Sequence, residues 1–202
     1  ACSGKAGGMN LGDFLLFSPV IIENEYFYRA SSWPEARLET ELSSWRRTLE
    51  TRFDPALNPQ TQQLADRLHT GAPNTRAFIN AVLGYFRDNG YYYTLQPPLL
   101  ASRDSMDDFL FRSRRGFCEH YAYAFAVMMR TVGIPARVVA GYLGGEINPV
   151  NRTVIVHQFD AHAWNEVWIE GEGWVRVDPT SAVAPDRILY GLERAVLGEG
   201  SF

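Results

Sequence analysis

The chain has 202 residues, 46% hydrophobic and 13% aromatic, enough for the core of one large domain or of one domain with a substantial arm, which excludes a disordered tail. Its 23 acidic and 19 basic residues give a net charge of -4 with no basic block, which argues against nucleic acid and against an anionic membrane face as partners. The longest wholly apolar stretch, Tyr121 to Met129, is about half of the ~20 residues a bilayer span requires, and no positively charged leader opens the chain, so a soluble piece is expected.

Residues 1–31 carry apolar patches at Phe14 to Phe17 and Val20 to Ile22 without a period that classifies them, and read as an arm. Ser32-Trp33-Pro34-Glu35 has the form of a capping box, followed by Leu38, Leu42, Trp45 and Leu49 at helical spacing, which predicts a first helix. Asn58-Pro59 can cap a second, with Leu64 and Leu68 inward and Gly71 as its stop. A third runs over about 75–88 on Phe78, Ile79, Val82, Leu83 and Phe86, until Asn89-Gly90 ends it. Tyr91 to Leu95 favours a short extended segment, and Tyr91 to Tyr93 read as core filling more readily than as a cleft wall. Ser105 to Phe111 reads as a short helix with Asp108 as cap partner, broken by Gly116.

Cys118 to Thr131 is apolar on nearly every side, the mark of a central buried helix, and Gly133 with Pro135 terminates it. Strand-like runs follow at Arg137 to Tyr142, Thr153 to Gln158, His162 to Ile169 and Trp174 to Asp178, the last two joined at Gly171-Glu172-Gly173. Asp186 to Leu197 reads as a surface helix. Helices first and an antiparallel sheet afterwards predict an α+β domain with one central helix packed on the sheet. The expected division is an N-terminal arm and helix over 1–57 and a catalytic domain over 58–202.

A cysteine opening a helix meets unpaired backbone N-H groups and the positive helix end, both of which favour thiolate. Cys118 is therefore a candidate nucleophile, although on local grounds a small buried apolar residue is the stronger reading. Strand alternation puts His162, Trp164, Glu166 and Trp168 on one face, and an odd hairpin loop puts Asp178 on that face too. The same loop separates His162 from Asp178 along the strands, so contact between them is expected to need a bulge or a longer loop. Singly, His162 reads as a satisfied sheet histidine and Asp178 as a turn residue before Pro179. Together, an acid, an imidazole and a thiol have the roles that covalent acyl transfer requires.

Cys118, His120, His157 and His162 could be grouped as a zinc set, but no paired C-x-x-C or H-E-x-x-H is present, and no metal or cofactor is expected. Gly141 to Gly145 lacks the lysine and spacing of a phosphate loop. Arg114 and Arg115 either keep the cysteine electropositive or lie on a solvated face. Only Cys2 and Cys118 are present, which excludes a disulfide-rich scaffold and leaves one bridge open. The start at Ala1 and the end at Phe202 would suit a domain excised from a longer polypeptide.

Read together, Gly116-Phe117-Cys118-Glu119-His120-Tyr121-Ala122, Gly133-Ile134-Pro135-Ala136-Arg137, Asp160 to Val167 and Gly173 to Thr180 resemble the transglutaminase-like superfamily, a papain-like cysteine fold. Over roughly 58–192 the chain is most similar to the bacterial group whose domain projects into the periplasm from an inner-membrane protein with several spans. The resemblance implies that Cys118 is the nucleophile and that His162 and Asp178 complete its triad. It also implies a protein or peptide glutamine as donor, a primary amine as acceptor, and a tether to the inner membrane through spans absent from this chain. The runners-up are a cysteine amidase or peptidase acting on cell-wall peptide, and a non-catalytic binding or scaffold module. The Cys118 N-H is one candidate oxyanion donor, with Tyr92 or Tyr93 as a conjectural second.

Overall fold

The computed structural model of the chain describes residues 35–188 without a break and, before them, Met9–Asn10, Leu16–Phe17 and a few single positions. Its contacts divide it into two units, Ala1–Arg37 and Leu38–Phe202. In the first, strands β1 (Met9–Asn10) and β2 (Leu16–Phe17) pair antiparallel, Met9 opposite Phe17.

The second unit runs α1 (Ser44–Glu50), α2 (Pro59–Thr70), α3 (Thr75–Asp88), β3 (Tyr92–Tyr93), α4 (Ser105–Asp107), β4 (Arg115–Gly116), α5 (Cys118–Thr131), β5 (Ala136–Tyr142), β6 (Glu146–Ile147), β7 (Val154–Ile155), β8 (Ala161–Ile169) and β9 (Gly173–Val177). An antiparallel sheet in the order β5-β8-β9 packs on α5, and α2 covers the other side of that helix. This is the α+β arrangement read from the sequence. A helix with partners on several sides needs apolar residues all round, and Tyr121, Ala122, Ala124, Phe125, Met128 and Met129 are fully buried.

The first expected helix begins much later than its capping signal. Leu38 and Glu39 are spent on the sheet instead: the Leu38 carbonyl accepts from Trp174 N at 3.0 Å and the Glu39 carbonyl from Trp168 Nε1 at 2.7 Å. Those carbonyls are then unavailable to a helix, and Glu39 turns the chain at φ +51°. In α1 the apolar stripe is not the buried one either: Trp45 is 64% exposed, while Arg46 and Glu50 face inward. Glu50 meets Arg130 of α5 at 3.5 Å, so this short helix meets α5 through a charge pair, while its one leucine, Leu49, is exposed.

Helices α2, α3 and α5 match their expected extents, with one exchange of caps. Asn58 does not cap its own helix; its Oδ1 accepts from Met106 N at 2.9 Å, at the start of α4. Asp107 returns the service, accepting from Gln60 N at 3.0 Å and Thr61 N at 2.8 Å, so the two helix starts satisfy each other's unpaired donors.

After α4 the chain continues through a wider π-type turn, Asp108–Ser113, and is broken by Arg114 at φ +52° rather than by the expected glycine. Asp108 reaches back to Ser102 N at 3.1 Å. Gly116 serves a close approach: a Cβ there would lie 2.8 Å from His120 Cβ and 2.9 Å from Phe109. The run Thr153 to Gln158 does not join the main sheet; only Val154–Ile155 is extended, and it pairs with β6 in a separate exposed hairpin. The tail helix expected over Asp186 to Leu197 falls beyond Ile188 mostly outside the described residues.

Candidate active site

Cys118 is the first residue of α5, preceded by Phe117 in an extended conformation. A parallel pairing of β3 with β4 sets Tyr93 opposite Gly116, and Thr94 N donates to the Gly116 carbonyl at 2.8 Å, which carries Tyr93 to the helix start. From the opposite side the beginning of β8 brings Ala161, His162 and Ala163, and Ala163 packs with Cys118 and Ala122. Asn165, fully buried, ties the two elements: its Nδ2 donates to the Ala122 carbonyl at 3.0 Å.

His162 Nε2 meets Asp178 Oδ2 at 2.7 Å. No bulge is involved. The hairpin turns through Glu170-Gly171-Glu172 with Ile169 opposite Gly173, and the ladder ends at Asn165 opposite Val177. Continued one step, that register puts Asp178 opposite Trp164, two positions from His162. Such diagonal neighbours on one face of an antiparallel pair are within reach of longer side chains. The Asp178 carboxylate is fixed by accepting Thr180 N at 3.1 Å through its other oxygen.

With Nε2 engaged, the buried His162 Nδ1 has no hydrogen-bond partner among the described residues and is the ring nitrogen left for the thiol. Burial alone would raise the Cys118 pKa, but hydrogen bonding with His162 and with the main chain of Ala163 and Glu119 brings it below the ordinary thiol value. His162 moves the other way: burial lowers it, and the contacts with Asp178 and Cys118 raise it above an ordinary imidazole. Both directions favour a thiolate beside an imidazolium. Cys118 is a free thiol, 7% exposed, on the wall of a cleft of about 320 Å³.

That cleft is lined by Tyr93, Leu95, Phe117 and Phe159 among others, so its aromatic wall comes from these rather than from Trp164 and Trp168 on the strand face of His162. Trp164 stacks beside His162 at 6.3 Å, whereas Trp168 points to Glu39. Of the three tyrosines, Tyr91 is core, Tyr92 is exposed and Tyr93 faces the cleft. Burial first, then the Cys118 charge, push the Tyr93 phenol up, while Arg187 and the Cys118 main chain pull it down; the net shift is upward, so the O-H is kept as a donor. Arg187, which the sequence reading passed over, also lines the cleft. Arg114 donates to the Asn89 carbonyl and Arg115 lies over Tyr92; both are exposed and neither lines the cleft.

His120 turns back to its own helix start, its Nδ1 3.4 Å from Phe117 N, and His157 stacks on Phe159 at 4.8 Å. Among the described residues no three His, Cys, Asp or Glu side chains are grouped to hold a metal ion. Pairing of Cys118 with Cys2 lies outside the described residues.

A family model described as the transglutaminase-like superfamily matches residues 62–179. The chain belongs to that superfamily. It is 45% identical over 192 residues to a protein-glutamine gamma-glutamyltransferase of Pseudomonas aeruginosa, covering 95% of this chain and 29% of that protein. The crystal structure of the periplasmic domain of TgpA from Pseudomonas aeruginosa superposes with a TM-score of 0.87 at 47% identity, covering 91% of this chain and 64% of that one. A second structure of that domain, bound to ethylmercury, gives 0.84 at 46% identity over 87% of this chain and 63% of that one. The chain thus spans under a third of its curated relative and somewhat less than two thirds of the solved domain.

Proposed function

We propose that this superfamily member catalyses cysteine-dependent acyl transfer from a glutamine-type carboxamide to a primary amine, with Cys118, His162 and Asp178 as its catalytic residues. The observation that carries the reading is the 2.7 Å His162–Asp178 contact behind a Cys118 thiol whose ionisation is eased by that same imidazole. The 45% identity to a gamma-glutamyltransferase supports the substrate class. The match to a periplasmic domain supports a periplasmic location, with a tether to the inner membrane through chain not included here.

In this reading the Cys118 thiolate attacks the carboxamide carbon and forms a C–S bond. The resulting oxyanion lies between the Cys118 N-H and the Tyr93 hydroxyl, and loss of one such donor costs about 10²-fold or more in rate. Collapse expels ammonia, which takes the proton held by His162, and leaves a thioester. The incoming amine gives a proton back to His162 as it attacks, and the isopeptide amide departs as the thiolate is restored. Asp178 keeps the ring oriented and stabilises its charge throughout. Leu95, Phe117, Phe159 and Tyr93 limit water at the thioester, which favours amine over hydrolysis.

The test compares the chain with its Cys118→Ala variant for ammonia release and incorporation of a labelled amine into a glutamine peptide. Loss of both activities in the variant is expected. Equal activity in the two would overturn the assignment of Cys118, and ammonia release indifferent to added amine would turn the reading to an amidase.

A further inference from the structure

Arg187 is 1% exposed, among the most deeply buried large side chains in the protein. One of its nitrogens, Nη2, donates to the Ala161 carbonyl at 3.3 Å, while Nε and Nη1 are buried without a hydrogen-bond partner. Among the described residues no carboxylate forms an ion pair with it; Glu119, the one acidic side chain on the same cleft, is exposed to solvent. A guanidinium stays charged at every physiological pH, so it cannot relieve burial by losing its proton. A buried cation on a cleft-lining residue, with two N-H groups that no hydrogen bond satisfies, is a feature that calls for an acceptor from outside the chain.

Its position limits what that acceptor is. The wall that holds Arg187 also holds Cys118, His162 and Tyr93. Tyr93 feels both the Cys118 charge and the Arg187 guanidinium, so one phenol spans the interval from the sulfur to the arginine. We propose that Arg187 is a donor-specificity residue that binds a carboxylate within one or two residues of the reacting carboxamide, the geometry being a buried guanidinium on the wall of the Cys118 cleft with two N-H groups left unsatisfied. A carboxylate fits because it is anionic and can accept from more than one N-H of the fork at once. The inference deepens the acyl-transfer reading and rests on it for the identity of the donor, but the binding it describes needs no reaction.

The test therefore uses the unreactive Cys118→Ala chain and two peptides, N-acetyl-glutaminyl-glycine with a free C-terminal carboxylate and the same peptide as its C-terminal amide. Calorimetry or NMR titration is expected to give at least tenfold tighter binding of the carboxylate form, the order expected for a charge-assisted contact. The Arg187 Nε-H resonance should shift with the carboxylate peptide and not with the amide, a readout that requires no substitution of the arginine. Adding Arg187→Gln should abolish the preference, and Arg187→Lys should retain part of it.

Equal affinities, no measurable binding of either peptide at millimolar concentration, or an unmoved Arg187 resonance would overturn the proposal. If Arg187 only props Tyr93, the Cys118→Ala chain will bind both peptides equally and the arginine variants will change the two affinities alike. A preference in the Cys118→Ala chain, found together with an unsubstituted chain that neither releases ammonia nor incorporates amine, would instead overturn the acyl-transfer reading and leave Arg187 as a carboxylate site.

Discussion

His162 and Asp178 occupy neighbouring antiparallel strands two positions out of direct register, yet Nε2 and Oδ2 meet at 2.7 Å. The diagonal is bridged by the length of the imidazole, and beside it the ring of Trp164 lies at an interplanar angle of 22° to that of His162. Asp178→Asn keeps the size and one oxygen but removes the charge that helps hold His162 above its ordinary pKa. A fall in kcat/KM of about 10²- to 10⁴-fold is expected, with the thermal midpoint nearly unchanged. Steady-state kinetics beside a melting curve checks it; a loss under tenfold would mean that the aspartate is not supporting the imidazole.

The thiol titration separates two opposed influences. Burial raises the Cys118 pKa and the His162 contact leads the effects that lower it, with the net result below an ordinary thiol. Without the imidazole, burial is opposed only by main-chain contacts, so His162→Asn should move the titration upward. Alkylation by iodoacetamide, measured against pH, should show its thiolate limb at lower pH in the parent than in the variant, and at pH 7 the variant should react about tenfold slower or more. A limb at the same pH in both would break the proposed pairing. For the transfer reaction the same ion pair predicts a bell: activity is lost below the lowered Cys118 value as the thiolate protonates, and above the raised His162 value as the imidazole loses its proton.

The long elements were legible because their signals are local. Asn58-Pro59, for example, opens α2 at Pro59, and the glycine and proline after Thr131 end α5 where the sequence indicates. What escaped the reading depends on partners far along the chain. Leu38 and Glu39 look helical until Trp168 and Trp174 claim their carbonyls. Tyr93 reaches the cleft through a two-residue parallel pairing that leaves no periodicity in the sequence. Arg187 looks like an exposed tail residue, and its burial is defined by contacts such as the Ala161 carbonyl. The sequence offers no more for it than an arginine just beyond the Asp178-Pro179-Thr180 segment.

Asn165 tests whether the spacing between Cys118 and His162 is held by one side chain. Asn165→Ala leaves the Ala122 carbonyl without its 3.0 Å donor and opens a small void between α5 and β8. A loss of about 1–3 kcal/mol in chemical denaturation is expected. The alkylation rate of Cys118 at pH 7 should fall as well, because the helix start and His162 are no longer fixed relative to each other. Destabilisation with an unchanged alkylation profile would confine Asn165 to a packing role.

Gly141 stands opposite His162 on β5, and the Trp164 ring lies directly over its backbone. A Cβ at this position would fall 2.7 Å from Trp164 Cη2, too close for any real contact, and the large ring edge has to move. The glycine has no unusual φ, so the conflict is steric rather than conformational. Gly141→Ala should therefore cost about 1–3 kcal/mol as an overpacked site does. Because Trp164 both stacks on His162 and carries the Arg176 guanidinium over its ring at 4.3 Å, displacing it should also lower kcat. Pairing the variant with Trp164→Phe supplies the control: the smaller ring should restore part of the stability lost to the added methyl. Failure of the double variant to recover any stability would show that the methyl clashes with something other than the tryptophan.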